Sequence, residues 1–291
     1  NVPVAGIVII FGPRWVLESV SDSIPDKVDL ISVPLASLGV GIAILAITQG
    51  DKWGWSSLNL ILSFAIASLL VTAFVIRSQR HKAPLFDLDL IKLKTFSVGM
   101  IGTVFFMVAF FSWLISLPTF IQSVWGWSVL KTGFAIAPAP LLTAFVSPPA
   151  GRLAERIGNG PILTIGGLLG ATGLTLHLIF TNSEPDYVMG IFIPGILIGF
   201  AAGFGFAQLI GAAMRDVPRD QFGMAGAGRT TIFQLALALG VALAFTIIGR
   251  PNSPEAALDG LQTTWILGIG CYLVQTLLFA FFGGSDKTLK I

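Results

Sequence analysis

Apolar residues fall along this chain in long runs separated by short polar stretches. Eight runs reach the roughly 18 mostly apolar residues at which a segment becomes able to cross a bilayer. They are A, 30–48; B, 58–76; C, 97–121; D, 132–150; E, 161–180; F, 188–214; G, 223–249; and H, 262–283. Within hydrocarbon every backbone N–H and C=O must be paired inside its own segment, so each run predicts a helix. The polar stretches have characters of their own. Residues 13–29, with Glu18, Asp22, Asp26 and Asp29, read as a linker. Residues 77–96 start basic and then mix Leu, Ile and Phe with Asp87, Asp89, Lys92 and Lys94, which suggests a short amphipathic helix on the cytoplasmic membrane surface, either a solvated connector or a lipid-binding element. The opening stretch 1–12 is too short to span and lacks the basic start of a signal peptide, so it reads as the tail of a truncated transmembrane helix. The predicted class is an all-α polytopic membrane protein.

Composition agrees with the pattern. Apolar residues make up 54% and charged residues 11%, against roughly 25% charge in a soluble domain. The single cysteine, Cys271, lies in run H, so no intrachain disulfide can form. The net charge of +2 carries little information about partners, and no nucleic acid is expected. Its distribution is informative, because Lys and Arg accumulate in cytoplasmic loops. One alternating set of connections holds 13 of the 17 basic residues, and the opposite set holds only Lys52, Lys131 and Arg250. The basic set includes Arg77, Arg80, Lys82, Arg152, Arg156, Arg215, Arg219, Lys287 and Lys290. This places the A–B, C–D, E–F and G–H loops outside and the C-terminus in the cytoplasm. Trp53 and Trp55 in the A–B loop suit an outer interfacial belt.

Runs C–H form six spans with short loops, which predicts a compact bundle. Gly195, Gly199 and Gly203 in F, and Gly166 and Gly170 in E, stand at the four-residue spacing that lets helix backbones approach closely. Pro138, Pro140, Pro148 and Pro149 each remove a backbone donor from D and dispose it to bend.

Candidate chemistry in the spans is sparse. Buried ionisable groups are costly in a membrane and usually mark function. Arg229 lies about two turns into G, where it could snorkel to the headgroups, face a cavity or hold an acidic partner. Gln234 in G and Gln208 in F could bond a ligand or a neighbouring helix. Trp113 and Phe105, Phe106, Phe110 and Phe111 of C offer an aromatic surface for a lipophilic or cationic molecule, or simply pack. His177, near the outer end of E, is expected to be an interfacial side chain. No Asp or Glu lies at mid-depth in C–H. An intramembrane enzyme would need a His/Asp metal site, a Ser–His pair or paired acids, and none is present as a cluster. No catalytic activity, metal or other cofactor is expected.

The order of local motifs adds a resemblance. Asn1-Val2-Pro3, Asp29-Leu30, Thr48-Gln49-Gly50 with Trp53-Gly54-Trp55, and Pro84-Leu85-Phe86-Asp87-Leu88 come first. Leu117-Pro118, Gln122, Gly126-Trp127-Ser128, Gly133 and Ala137-Pro138 follow. Then come Gly151-Arg152-Leu153-Ala154-Glu155-Arg156-Ile157-Gly158 and Ala238-Leu239-Gly240-Val241-Ala242. Over some 240 residues this series resembles the C-terminal part of the fourteen-helix drug:proton antiporters of the major facilitator superfamily, the EmrB and QacA type.

The resemblance implies a major facilitator fold, with A and B (30–76) as two inserted helices and 97–283 as the C-terminal six-helix bundle, followed by a cytoplasmic tail, 284–291. C, D, F and G would line the substrate cavity, with Trp113, Gln208, Arg229 and Gln234 as its candidate residues, while E and H stay peripheral. Arg229 stands one turn before Phe233, which occupies the place of a frequent family Arg. Gly151, Arg152, Glu155, Arg156 and Gly158 would form a cytoplasmic gating turn, with Gly151 and Gly158 permitting the reversal and Arg215 as the ion-pair partner of Glu155. Glu155 stands in place of the usual Asp, and Asn159-Gly160 in place of a basic pair.

The implied function is export of hydrophobic or cationic small molecules by proton antiport with alternating access. Proton-coupled movement of another small solute and a non-transporting scaffold or sensor are the alternatives. The implied setting is a bacterial-type cytoplasmic membrane. The implied partners are a small-molecule substrate, protons, membrane lipids and an N-terminal six-helix half that carries the coupling carboxylates, within a monomer.

Overall fold

The computed structural model describes Gly6 and residues 29–81, 86, 88–249 and 253–283. Nearly all of the described chain is helical, and eight helical spans are long and apolar enough to cross a membrane. The first two are α1 (Ser32–Trp53) and α2 (Leu58–Arg80). The bundle follows as α3 (Lys94–Ser123), α4 (Val129–Ile136), α5 (Pro138–Ile157), α6 (Asn159–Phe180), α7 (Ile193–Met214), α8 (Phe222–Ile248) and α9 (Pro254–Phe282). The tail predicted over 1–12 (Gly6 apart), the linker up to residue 28, and 284–291 lie outside the described residues.

Packing follows burial. α3 is the central helix: it contacts α7, α8 and α9, and only Ile101 among residues 95–121 is exposed. α3, α7, α6 and α9 close into a four-helix core, α5 packs on α7, and α8 packs on α3. The bundle therefore presents a row, α5–α7–α3–α8, with α6 and α9 behind its centre. α1 and α2 form a hairpin attached through α1 to α8, where the Thr246 hydroxyl donates to the Ile47 carbonyl at 3.3 Å.

Close approach is bought by small residues. A Cβ on Gly199 would lie 2.8 Å from the Ala139 carbonyl oxygen, and one on Gly203 would lie 2.7 Å from Val146 Cγ1. α5 and α7 thus touch backbone to side chain over these two turns, and the Thr143 hydroxyl bridges them by donating to the Gly199 carbonyl at 3.0 Å. Gly195, the third member of the predicted series, meets nothing nearer than 3.9 Å and is not required by this contact.

Several elements differ from the sequence expectation, each for a local reason. Run D is two helices meeting at Ala137, because Pro138 and Pro140 leave the carbonyls four residues upstream without their donors. It also extends to Ile157, so Gly151, Arg152, Glu155 and Arg156 lie on the last turns of α5 and not in a loop. The reversal into α6 is made by Gly158 alone, at φ 86°, a conformation that costs a residue with a Cβ far more; Gly151 is helical. Run H starts at Pro254, where Ser253 accepts from the Ala256 N–H at 3.2 Å and caps the helix, and Asp259, Gln262 and Thr263 in its early turns hid this start from an apolar count. In the connector 77–96 the described residues form the end of α2, one 3₁₀ turn, Leu88–Lys92, with Leu90 buried and Asp89, Ile91 and Lys92 exposed, and the start of α3; Lys82–Leu85 and Asp87 lie outside the described residues.

Asp29, expected in a polar linker, is buried. It accepts from the Ser32 N–H and hydroxyl at the start of α1 and from Arg77 Nε at 2.8 Å at the end of α2, clamping the hairpin shut. Burial pushes its carboxyl upward, but the hydrogen bonds from Ser32 and Arg77 outweigh this and hold it down to about 2.

Candidate substrate-facing surface

Within this row, α7, α3 and α8 carry a continuous set of aromatic rings. Phe106, on α3, is fully buried and lies against α7 at Gly205, where the absence of a side chain leaves room for the ring. Phe206 on α7 meets Phe106 and Phe110 edge to face, each at 5.2 Å between centroids. Phe110 continues to Phe111 at 5.4 Å and to Trp113 at 5.7 Å, and Phe206 reaches Phe233 of α8 at 6.5 Å. Phe110, Phe111, Phe206 and Phe233 are half-buried, so their outer faces remain open. Edge-to-face pairs of this kind hold each other in place and leave π faces for a lipophilic or cationic guest. Sequence reading named the rings of α3 but not Phe206. Its signal was present in Gly205-Phe206, a small residue next to a ring in a run otherwise read for its glycines.

Arg229 stands below this set on α8. Its guanidinium carbon is 5.9 Å from the Phe233 ring centroid, and its Nε is buried without a hydrogen-bond partner. Gln234 does not share that face. It is exposed, in line with Ala227, Thr230 and Thr231 at helical spacing, and both threonine hydroxyls turn back to carbonyls of their own helix. α8 therefore presents a half-buried cation toward α3 and a separate exposed amide and hydroxyl stripe away from it.

The other two cavity candidates make contacts between helices. Gln208, on α7, is buried between the Gly151 N–H of α5 and the Phe204 carbonyl; assigning its amide so that both are satisfied, the oxygen accepts from Gly151 at 3.0 Å and the nitrogen donates to Phe204 at 3.0 Å. Trp113 is buried at the junction of α3 with α6 and donates its indole N–H to His177 Nε2 at 3.1 Å. It also lines a cleft between α3, the α4–α5 break and the start of α7, which encloses room for about one water molecule.

His177 is the clearest departure from expectation. It has no exposed surface and is not interfacial. Because Nε2 accepts from an indole, which can only donate, the ring proton must be on Nδ1, where it is given to the Gly190 carbonyl at 2.8 Å. That carbonyl lies in a π-helical turn, Val188–Phe192, at the head of α7, and also accepts from the Thr181 hydroxyl at 3.2 Å. Trp265 of α9 packs on the histidine at 5.3 Å and donates to the Ser116 hydroxyl at 3.0 Å. Nothing in the spacing of His177 signalled this network, which joins four helices.

At the opposite end, Arg152, Glu155 and Arg156 are exposed on the final turns of α5, and Arg215 is exposed where α7 ends. Gln208 and Gly151 set the two helices side by side, but the expected Glu155–Arg215 ion pair is absent among the described residues. Arg215 Nε lies 3.5 Å from the carboxylate of its chain neighbour Asp216. With Glu155 on a continuous helix, no loop brings it across.

Comparison with known proteins places these features. The chain matches the Major Facilitator Superfamily over residues 30–241. It is 32% identical over 236 residues to the uncharacterized transporter YebQ of Escherichia coli, covering 79% of this chain and 50% of that protein. It is 24% identical over 283 residues to the lincomycin resistance protein LmrB of Listeria monocytogenes, covering 92% of this chain and 59% of the relative. It is 24% identical over 254 residues to the probable multidrug resistance protein EmrY of E. coli, covering 87% of this chain and 49% of the relative. The chain thus spans about half the length of the curated relatives it matches. With eight spans among the described residues long and apolar enough to cross a membrane, a glycine-seated six-span bundle and a family match across most of both, the chain belongs to the Major Facilitator Superfamily.

Proposed function

We propose that this chain forms the second-bundle part of a secondary transporter that exports hydrophobic or cationic small molecules by proton antiport. The observation that carries this reading is the half-open aromatic set on α3, α7 and α8. Its rings are fixed by one another, and Phe110, Phe111, Phe206 and Phe233 keep part of their surface open, while Gln234, Thr230 and Thr231 lie on a separate, exposed face of α8. Names of relatives such as LmrB and EmrY point toward drug resistance as the setting. The enclosed room next to Trp113 is that of about one water, far short of the few hundred Å³ a drug-sized molecule occupies. A substrate would therefore be held between this surface and a second bundle, and alternating access would come from rocking the two against each other.

Proton coupling needs a group that alternates between charged and neutral, and α3–α9 have no Asp or Glu at mid-depth. We assign that role to carboxylates of the facing N-terminal bundle, and place the C-terminus and the Arg-bearing ends of α5 and α7 in the cytoplasm of a bacterial cell. Glu155 then serves as a gate contact to the facing bundle and not to Arg215. The test is substrate-induced proton movement in proteoliposomes holding the full-length protein. A proton flux that appears only with substrate is expected. A full-length protein that binds substrate but moves neither substrate nor protons would leave the scaffold reading in its place. Vectorial efflux by the 291-residue chain alone would refute the assignment of coupling to the other bundle.

A further inference from the structure

The neighbouring helices α5 and α7 are each interrupted at the same height. α4 meets α5 at Ala137, directly before Pro138, and the π turn Val188–Phe192 meets α7 at Ile193, directly before Pro194. Proline has no N–H, so Pro194 cannot bond the Gly190 carbonyl four residues upstream, just as Pro138 cannot bond that of Phe134. Each junction therefore lacks an i→i+4 hydrogen bond. The two junctions flank one cleft, lined by Ile136 and Pro138 from the first, Ile191 and Gly195 from the second, and Trp113 of α3. Beyond the junctions, α4 and the π turn hold each other. The Tyr187 hydroxyl donates to the Ala135 carbonyl at 3.3 Å, and the Tyr187 ring lies 6.4 Å from Trp127 at the start of α4 and 5.9 Å from Phe192. The rest of α4 is loosely held: Val129, Leu130 and Phe134 are exposed.

Side chains fasten this pair to the core. The Gly190 carbonyl accepts from His177 Nδ1 at 2.8 Å and from the Thr181 hydroxyl at 3.2 Å. Both donors belong to α6 and the residue that ends it, and His177 is itself oriented by the Trp113 indole at 3.1 Å. We propose that α4 and the π turn form one lid over this end of the bundle, hinged at Ala137 and at Ile193, with His177 and Thr181 as its latch. π turns within helices are frequent at functional sites, and a junction held by two side-chain bonds has a second arrangement within easy reach. With the latch closed, the cleft has room for about one water beside Trp113. Release of the Gly190 carbonyl lets the lid tilt and the cleft widen toward Trp113, whose ring is 5.7 Å from Phe110 at the edge of the aromatic set. The lid thus controls access to that set from the end opposite Arg152 and Arg215. Its use in transport rests on the function proposed above; its motion does not.

The test uses the full-length protein, freed of cysteine by Cys271→Ala and equivalent changes elsewhere. Spin labels are placed at Leu130→Cys on α4 and Ile179→Cys on α6, both exposed positions. Without substrate, the interspin distance should show one dominant, closed population. An interhelical hydrogen bond in a membrane protein is worth roughly a factor of three in such an equilibrium. Thr181→Val removes one and should raise the ratio of the longer distance to the closed one about threefold. His177→Leu removes the other and leaves the Trp113 N–H unpaired until the widened cleft hydrates it, so it should raise that ratio about tenfold. His177→Gln can donate to Gly190 and accept from Trp113 through one amide, and should restore the closed distance. A less stable His177→Leu protein with an unchanged distance distribution would overturn the lid, because a merely structural network behaves that way. If His177→Leu does not fold, an unchanged distribution in Thr181→Val overturns it. A lid that opens in a full-length protein moving no substrate upholds the lid and overturns the transport reading alone.

Discussion

Substitution of Gly205 by alanine tests whether the aromatic set is seated by that glycine. An added Cβ would lie 2.3 Å from Cε2 and 2.4 Å from Cζ of Phe106. Ordinary carbon contacts begin near 3.5 Å, so the ring must retreat by about 1 Å. It has no free space to enter, since it has no exposed surface and is bounded by Phe110 at 6.0 Å, Phe206 at 5.2 Å and Tyr272 at 5.9 Å between centroids. Overpacking of this sort costs about 1–3 kcal/mol. Against it stands the gain of about 1 kcal/mol for replacing a helical glycine by alanine. Gly270 on α9 isolates that gain, because an added Cβ there meets nothing within 4 Å. Equilibrium unfolding in mixed micelles should therefore place Gly205→Ala about 1–3 kcal/mol below Gly270→Ala. In a Phe106→Leu background the penalty should largely vanish, because the smaller side chain vacates the contested volume. Two alanine variants of equal stability, or a Gly205→Ala penalty that persists in the Phe106→Leu background, would refute the account of how these rings are held.

Two further outcomes follow from described contacts. Gln208→Leu should cost about 1 kcal/mol of stability, the scale of an interhelical hydrogen bond in a membrane protein, while leaving substrate affinity of the full-length transporter unchanged; a loss of affinity at unchanged stability would return Gln208 to the cavity. Asp29 titrates near 2 and not at its usual 3.8, so its contribution is complete above that usual value and is lost only as pH falls through about 2. Hydrogen exchange at the start of α1 should accordingly be protected in Asp29 protein relative to Asp29→Asn equally at pH 7 and pH 5, and protection that halves between those values would contradict the clamp with Arg77.

The spans were legible because bilayer solvation leaves few alternatives: a long apolar run must be helical whatever surrounds it. Helix ends were less so. Residues 254–261, and the last two turns of α5, carry charged or polar side chains that an apolar count reads as loop, although Ser253-Pro254-Glu255 is a readable helix start. Within the candidate surface, the rings of α3 stood out by type, while Phe206 depended on which face of α7 meets α3. The roles of Gln208 and His177 depended on neighbours distant in sequence, Gly151 for the first and Trp113 and Gly190 for the second. A side chain able both to donate and to accept looks the same in sequence whether it meets a ligand or a neighbouring backbone.

The one-residue reversal at Gly158 has a mechanical meaning. α5 is a 20-residue rod, about 30 Å long, with the proline-induced break at Ala137 as one pivot and a single glycine as the other. A tilt of ten degrees about Ala137 would sweep the Glu155 end through about 5 Å for a rod of that length. No slack in the connection absorbs such a sweep, so it passes directly into the first turn of α6. Thr143 and Gln208 fasten the same rod to α7 at two heights, which makes α5 and α7 a single lever. A small displacement beside Trp113 would then be amplified at the far end of the molecule, where Arg152 and Arg156 are carried.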